Sequence, residues 1–235
     1  MTRVVMLGPA PEAKGGVSSY VRGLMDAGLA GRVSLRYIPT LSGEKKARKL
    51  LAAAGGYIRF LFALARCDVV HAHMSSRASY RRKAVFVSTA SLFGKKIVLH
   101  MHGGEFDRFY RDECDAGQQA RIRRTLARAD VVIALSDTWR AFYATLADPA
   151  RVVALPNAVL VPAKACEENR GTDIVFLGKI CPQKGVDTLA RAFARIANRC
   201  PDACLWLCGD GDPAFVDALG LDPSVRGRIR LTGWL

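Results

Sequence analysis

Short runs of apolar, mostly β-branched residues recur along this chain and alternate with longer segments of helical period. Ten or more residues separate neighbouring runs, which leaves room for a helix between consecutive strands. Strands that are apolar along their whole length are typical of a parallel sheet covered on both faces. The runs are Val4–Leu7, Val33–Ile38, Asp68–His73, Lys96–His102, Asp130–Leu135 and Arg151–Leu155. They predict a doubly wound α/β domain.

A second, shorter series of strands follows residues 156–171, whose two prolines and mixed charges predict a linker. Three strands in so short a stretch would be marginal as an independent sheet. We therefore predict a complete domain over residues 1–165 and an incomplete second domain over residues 166–235. The predicted strands are Asp173–Gly178, Cys204–Gly209 and Arg228–Gly233, with helices over about Gly185–Arg199 and Pro213–Leu219.

Basic residues are concentrated in the first predicted domain. The net charge is +14, and residues 1–165 account for all of it, with 26 basic against 12 acidic side chains. A polyanionic partner would therefore face the first domain alone. A nucleic acid is not expected as a partner, because no basic motif is interleaved with aromatic residues.

Hydropathy and cysteine content point to a cytoplasmic protein. The longest apolar stretch, Leu50–Ala65, is interrupted by Arg59 and falls short of the roughly 20 apolar residues of a membrane-spanning helix. The first residues resemble a strand more than a signal peptide. Seven cysteines without a CxxC pair indicate reduced thiols, and argue against a disulfide framework or a zinc ribbon.

The segment Glu44–Arg66 combines an apolar helical stripe with several cations. It either packs its stripe on the sheet or lies on anionic lipid, and both hold if the stripe is buried while the cations face the membrane. A second basic cluster follows nearby. The stripe is Leu50, Leu51, Ala54, Ile58, Leu61 and Ala65, and the second cluster is Arg77, Arg81, Arg82 and Lys83.

Gly15 and Gly16 stand where a helix is expected to begin after the first strand. Free backbone N–H groups and the positive end of the helix dipole suit a phosphate at such a place. The alternative is a flexible turn with no ligand. The loop is not a GxGxxG fingerprint, which argues against a dinucleotide-dependent dehydrogenase.

All four histidines occur as two HxH pairs, His71 with His73 and His100 with His102, at the carboxyl ends of predicted strands. Alternation places both members of a pair on one face of a strand, so four imidazoles could hold a metal. The other reading, in which they are packed core and edge residues, is favoured because no carboxylate or cysteine stands at a ligand spacing. We therefore expect no metal, but a ligand site near these strand ends.

Lys179 and Lys184 flank a short loop that leads into a predicted helix at Gly185. Two ammonium groups and a helix N-terminus would neutralise a diphosphate leaving group. Two solvated lysines on a loop are the alternative. The GDGD sequence at Gly209–Asp212 is by itself only a turn signal.

In their order and spacing these segments resemble family 4 of the retaining glycosyltransferases, the group 1 enzymes of GT-B fold. The resemblance runs from GGVSSYVRGL through DVVHAHMSS and IVLHMHGGEF to FLGKICPQKGVDTLARAF and LWLCGDGD. It implies two Rossmann-like domains that move a sugar from a nucleotide-diphosphate donor to an acceptor hydroxyl. No cofactor is implied, because the nucleotide sugar is itself the substrate.

The resemblance also assigns roles to residues. His102 would lie near the transferred sugar, and Lys179 and Lys184 would stabilise the departing phosphate. Two departures from the family pattern are Lys179, where an arginine with bidentate phosphate geometry is usual, and Ala158 after Asn157, where glycine is usual. The implied donor-binding glycines are Gly15, Gly16, Gly178, Gly209 and Gly211.

Members of the family carry two further glutamates, with seven residues between them, that would follow Leu235 in this chain. We therefore expect a truncated enzyme of cell-envelope or exopolysaccharide synthesis, acting on a saccharide or lipid-linked acceptor at the inner face of the membrane. The alternative hypothesis is a non-catalytic relic or accessory acceptor-binding protein.

Overall fold

A computed structural model of the chain describes residues 1–41, 46–161 and 171–234, with the side chains of 41–53 outside that description. The chain forms two compact units that divide between Val161 and Pro162. Each unit contains its own parallel sheet and its own hydrophobic core.

The described part of the first unit is a parallel sheet of six strands in the order β2-β1-β3-β4-β5-β6. Helices alternate with the strands along the chain, so the predicted α/β class is confirmed. The elements are β1 (Arg3–Pro9), α1 (Gly16–Asp26), α2 (Leu29–Arg32), β2 (Ser34–Leu41), α3 (Lys46–Leu64), β3 (Val69–Met74), α4 (Ala78–Leu92), β4 (Lys96–Met101), α5 (Phe106–Asp112), α6 (Ala116–Ala127), β5 (Val131–Ala134), α7 (Asp137–Ala144) and β6 (Val152–Ala154).

The two faces of this sheet have different coverings. Val70 and Ala72 of β3 belong to the main core together with Phe60 of α3 and Phe86 of α4, whose rings are 5.0 Å apart. Because side chains alternate along a strand, His71 and His73 project from the opposite face. On that face the ring of His73 lies 5.9 Å from the ring of Tyr20 of α1.

Helix α3 does not bury the stripe that its sequence predicts. Ile58 and Leu61 are 55% and 41% exposed, whereas Phe60 and Leu64 are fully buried. The helix turns the i, i+4 pair Phe60 and Leu64 to the core because Phe60 packs edge-to-face on Phe86. Ala54 and Ala65 of the stripe are also exposed, Glu44 and Lys45 lie outside the described residues, and so do the side chains of Leu50 and Leu51.

The second unit is described from residue 171 onward. Its three strands pair in parallel in the order β7-β8-β9, and α8 packs Phe193 against Leu205 and Leu207 in its core. The elements are β7 (Ile174–Leu177), α8 (Val186–Ile196), β8 (Leu205–Cys208), α9 (Pro213–Asp217), α10 (Pro223–Arg226) and β9 (Ile229–Gly233). Among the described helices of both units, none is long and apolar enough to cross a membrane.

Candidate functional site

The strand order of the first unit creates a crevice at the carboxyl ends of β1 and β3. The chain leaves β1 for β2 on one side and returns to β3 on the other, so β1 and β3 flank a topological switch point. Ligands of open α/β sheets bind at such a point. A cavity of about 240 Å³ lies there, lined by Pro9, Lys14, Gly15, Gly16, Val17, Ser18, His73, Met74, Ser75, Ser79, Arg82 and Lys83.

The N-terminus of α1 forms one wall of this cavity. Gly15 caps the helix with φ 141°, a conformation that side chains disfavour, and Ser18 Oγ holds the loop by donating to the Ala10 carbonyl over 3.1 Å. The first-turn amides have no partners within the helix, and they carry the positive end of its dipole. The predicted glycines Gly15 and Gly16 therefore stand at a helix start that suits an anion.

Lys83 of α4 is the most unusual side chain in the cavity wall, because it is a cation that is only 3% exposed. Its Nζ donates to Ser79 Oγ over 2.9 Å, and the backbone N–H of Ser75 donates to the same oxygen. No carboxylate contacts Lys83 among the described residues, and burial, with the charge of Arg82, lowers the pKa of its amine to about 7. Nε of Arg82 is also buried without a hydrogen-bond partner in the described chain.

The sequence grouped Lys83 with Arg77, Arg81 and Arg82 in a second basic cluster, but Lys83 is buried and is not part of an exposed basic surface. The reason is helical position, since Tyr80, Lys83 and Val87 share the buried side of α4. That spacing of three and four residues was the signal available from the sequence. Arg81, between them, is exposed as expected, and Arg77 instead pairs with Glu105 and Glu113.

All four histidines lie on the face of the sheet that α1 covers. His73 lines the cavity, and its Nδ1 is 2.9 Å from Nε2 of His102, so the two rings share a hydrogen bond. Desolvation lowers the pKa of His71 and His102 to about 3 and that of His100 to about 4. The four imidazoles are therefore neutral at pH 7.

In the second unit, the predicted donor-binding glycines lie where two loops touch after β7 and β8. A Cβ on Gly209 would be 1.9 Å from the Gly178 carbonyl oxygen, and one on Gly211 would be 2.4 Å from Cβ of Ile180. The N–H of Ile180 also donates to the Asp210 carbonyl over 2.9 Å. These glycines allow the backbones of the two loops to approach each other at the carboxyl edge of this sheet.

Lys179 and Lys184 lie in the loop after β7, and both are exposed. Lys184 ends the 3-10 turn Pro182–Lys184, and Gly185 follows with φ 69° as the N-cap of α8. The second unit thus carries both lysines and the three glycines of the predicted site on the loops that follow β7 and β8. In the first unit, Gly15 and Gly16 line the same cavity as His73, and His73 is hydrogen-bonded to His102.

A larger groove of about 650 Å³ runs between α4 and α6. Its walls include four exposed arginines, Arg81, Arg121, Arg124 and Arg128. It lies on helix surfaces, away from the carboxyl ends of the strands, so it lacks the position that the fold gives to a ligand site.

Comparison with known families identifies the chain. Residues 3–158 match the family described as glycosyl transferase 4-like domain, and residues 171–235 match the glycosyl transferases group 1. The chain belongs to the glycosyl transferase 4-like family. No curated protein sequence matches it.

Solved structures of low sequence identity share the fold. WaaG, a glycosyltransferase involved in lipopolysaccharide biosynthesis, superposes with a TM-score of 0.66 at 12% identity, over 99% of this chain and 70% of WaaG. MnaA of S. aureus with UDP gives 0.52 at 12% identity, over 100% of this chain and 70% of MnaA. TarM gives 0.54 at 12% identity, over 71% of this chain, which spans about a third of TarM's length. The GT-B-like fold expected from the sequence is confirmed.

Proposed function

We propose that this chain transfers a sugar, with retention of anomeric configuration, from a nucleotide-diphosphate donor to a saccharide or lipid-linked acceptor of the cell envelope. The observation that carries the proposal is the cavity at the switch point, where the N-terminus of α1 meets the buried cation Lys83. Family membership and the UDP bound by MnaA support a nucleotide donor. The role of WaaG in lipopolysaccharide synthesis supports an envelope acceptor.

The chemistry rests on charge. A diphosphate entering the cavity meets the amides of Gly15 and Gly16 and the amine of Lys83, which an anion would return to its charged form. In the second unit, the exposed Lys179 and Lys184 are the candidates for neutralising a departing phosphate, as the resemblance to the group 1 enzymes implies. His102 contacts the transferred sugar, and the transfer step needs no metal or other cofactor.

Activity is tested by incubating the purified chain with a panel of nucleotide-diphosphate sugars and lipid-linked saccharide acceptors. We expect nucleoside diphosphate release that depends on the acceptor, and a product whose anomeric configuration, read by NMR, equals that of the donor. Lys184→Met should lower kcat by about a hundredfold, whereas Lys96→Met, an exposed lysine remote from the cavity, should not change it. Acceptor binding without turnover for any donor would refute transfer and support the accessory-protein alternative.

We further propose that α3 docks on an anionic membrane, which would place the protein at the cytoplasmic face. Its outer side exposes Ile58, Leu61 and Phe62, the last 77% exposed, next to the exposed cation Arg59. Apolar side chains beside cations suit the boundary between acyl chains and anionic headgroups. This agrees with the lipid-facing alternative from the sequence, but departs from the combined reading in which the stripe was buried and only the cations faced lipid.

Flotation with vesicles of anionic or neutral lipid tests the docking. We expect binding to anionic vesicles that weakens as salt is raised, and a loss of binding in Phe62→Ser. Leu177→Ser is the matched control, because Leu177 of the second unit is equally exposed, at 75%, but lies outside α3. Binding that is unchanged in Phe62→Ser, or lost equally in both variants, would refute docking through α3.

A further inference from the structure

Four buried imidazole nitrogens on the α1 face of the first sheet lack a hydrogen-bond partner among the described residues. They are Nε2 of His71, Nε2 of His73 and both ring nitrogens of His100. A buried polar atom without a partner costs free energy. This concentration of unpaired nitrogens calls for a physical explanation.

The unpaired nitrogens are close together. One ring nitrogen from each of His71, His73 and His100 lies within 4.8 Å of the other two. Strand register causes this, because His73 of β3 pairs with His100 of β4, and His71 precedes His73 on the same face. The rings of His71 and His100 are parallel to within 3°, with centroids 5.6 Å apart.

We propose that His71, His73 and His100 bind a zinc ion through these ring nitrogens. Three imidazoles with an open fourth position for water form a recognised zinc ligand set. A cation can satisfy three converging lone pairs at once, and imidazole favours zinc over the hard cations calcium and magnesium.

His102 supplies the outer-shell contact of such a site. When Nε2 of His73 binds the ion, the proton of His73 resides on Nδ1, which then donates to Nε2 of His102. Zinc-bound histidines commonly donate their second N–H to an acceptor, which fixes the ring and its tautomer. Tyr20 packs over His100, with ring centroids 5.2 Å apart, and covers the site from α1.

The sequence favoured packed histidines over a metal, because no carboxylate or cysteine stands at a ligand spacing. Three histidines need neither. Binding of the proposed ion is measured without donor or acceptor, so the test does not depend on the proposed function.

The test is titration of chelator-treated protein with Co²⁺, whose visible ligand-field spectrum reports a tetrahedral site. We expect one Co²⁺ bound per chain, displaced by Zn²⁺, without the intense charge-transfer band that cysteine thiolates produce. His71→Phe and His100→Phe should each abolish binding while retaining the circular dichroism of the wild type. His102→Phe should retain the site but weaken it by about tenfold or more, and Tyr20→Phe should bind like the wild type.

X-ray absorption at the zinc edge of the wild-type protein needs no variant, and we expect three imidazole ligands and one oxygen. The proposal is overturned if the wild type binds no stoichiometric ion. It is also overturned if folded His71→Phe and His100→Phe bind as the wild type does, or if the absorption spectrum shows sulfur ligands.

Discussion

Replacing Lys83 by methionine removes a buried amine while keeping an unbranched side chain of similar length. The folded protein holds the pKa of Lys83 at about 7, against about 10.4 in an unfolded chain. Between these values the unfolded chain binds more protons than the folded one, so the stability contributed by this group rises with pH. The contribution of Lys83 to stability is lowest at and below about pH 7, where the folded protein must bury the charged amine.

The magnitude follows from linkage. A lysine with these two pKa values lowers the free energy of unfolding by about 4 kcal/mol at pH 7.5 and by about 1 kcal/mol at pH 10. The wild type should therefore gain about 3 kcal/mol over Lys83→Met as the pH rises between these values. The lowered histidine pKa values change the stability only in acid, so they do not affect its pH dependence between pH 7.5 and pH 10.

Urea unfolding at several pH values measures this difference. Trp139 lies in the first unit and Trp206 and Trp234 lie in the second, so the substitutions Trp206→Phe and Trp234→Phe leave Trp139 fluorescence as a reporter of the first unit. Lys96→Met is the control, because the side chain of Lys96 is 72% exposed. Parallel pH profiles for the wild type and Lys83→Met would refute the interpretation of Lys83 as a buried, uncompensated amine.

Two further predictions test the packing of each unit. Phe60→Ala should destabilise the first unit by about 3–5 kcal/mol because Phe60 is fully buried. Phe62→Ala, on the exposed side of α3, should change the stability of this unit by less than about 0.5 kcal/mol. Similar losses of stability for the two variants in urea unfolding would contradict the orientation of α3. Gly209→Ala should destabilise the second unit by more than about 2 kcal/mol, since its Cβ would clash with the Gly178 carbonyl. Gly220 has a positive φ but open space around it, so Gly220→Ala should destabilise the second unit by only about 1 kcal/mol. Equal losses of stability for the two variants, measured by urea unfolding with Trp206 fluorescence, would argue against a close contact between the loops.

Strand positions and fold class were predictable because they depend on local patterns. An apolar run such as Lys96–His102 is hydrophobic whatever its neighbours are, and the structure places β4 at Lys96–Met101. The same holds for the start of α1, since Gly15 and Gly16 follow a strand and precede a helical period. Ligands of parallel sheets bind at the carboxyl ends of the strands, so these features also predict which edge of the sheet carries the site.

The rotation of a helix about its axis depends on partners distant in sequence. The exposed and buried sides of α3 are both rich in apolar residues, so the composition of the helix did not distinguish Phe60 from Leu61. The ring of Phe86, on another helix, decides which side is buried. For the same reason the burial of Lys83 was not evident from its neighbours Arg81 and Arg82.

The alternation of apolar runs was enough to predict two parallel sheets and the strand ends that bear the histidines and glycines. Which side chains meet at those ends depends on strand order and register, and these arise from packing across the whole unit. Only the pairing of β3 with β4 brings His71 and His73 beside His100. Only the folded α4 places Lys83, without a carboxylate partner in the described part of the chain, in the same cavity as the start of α1.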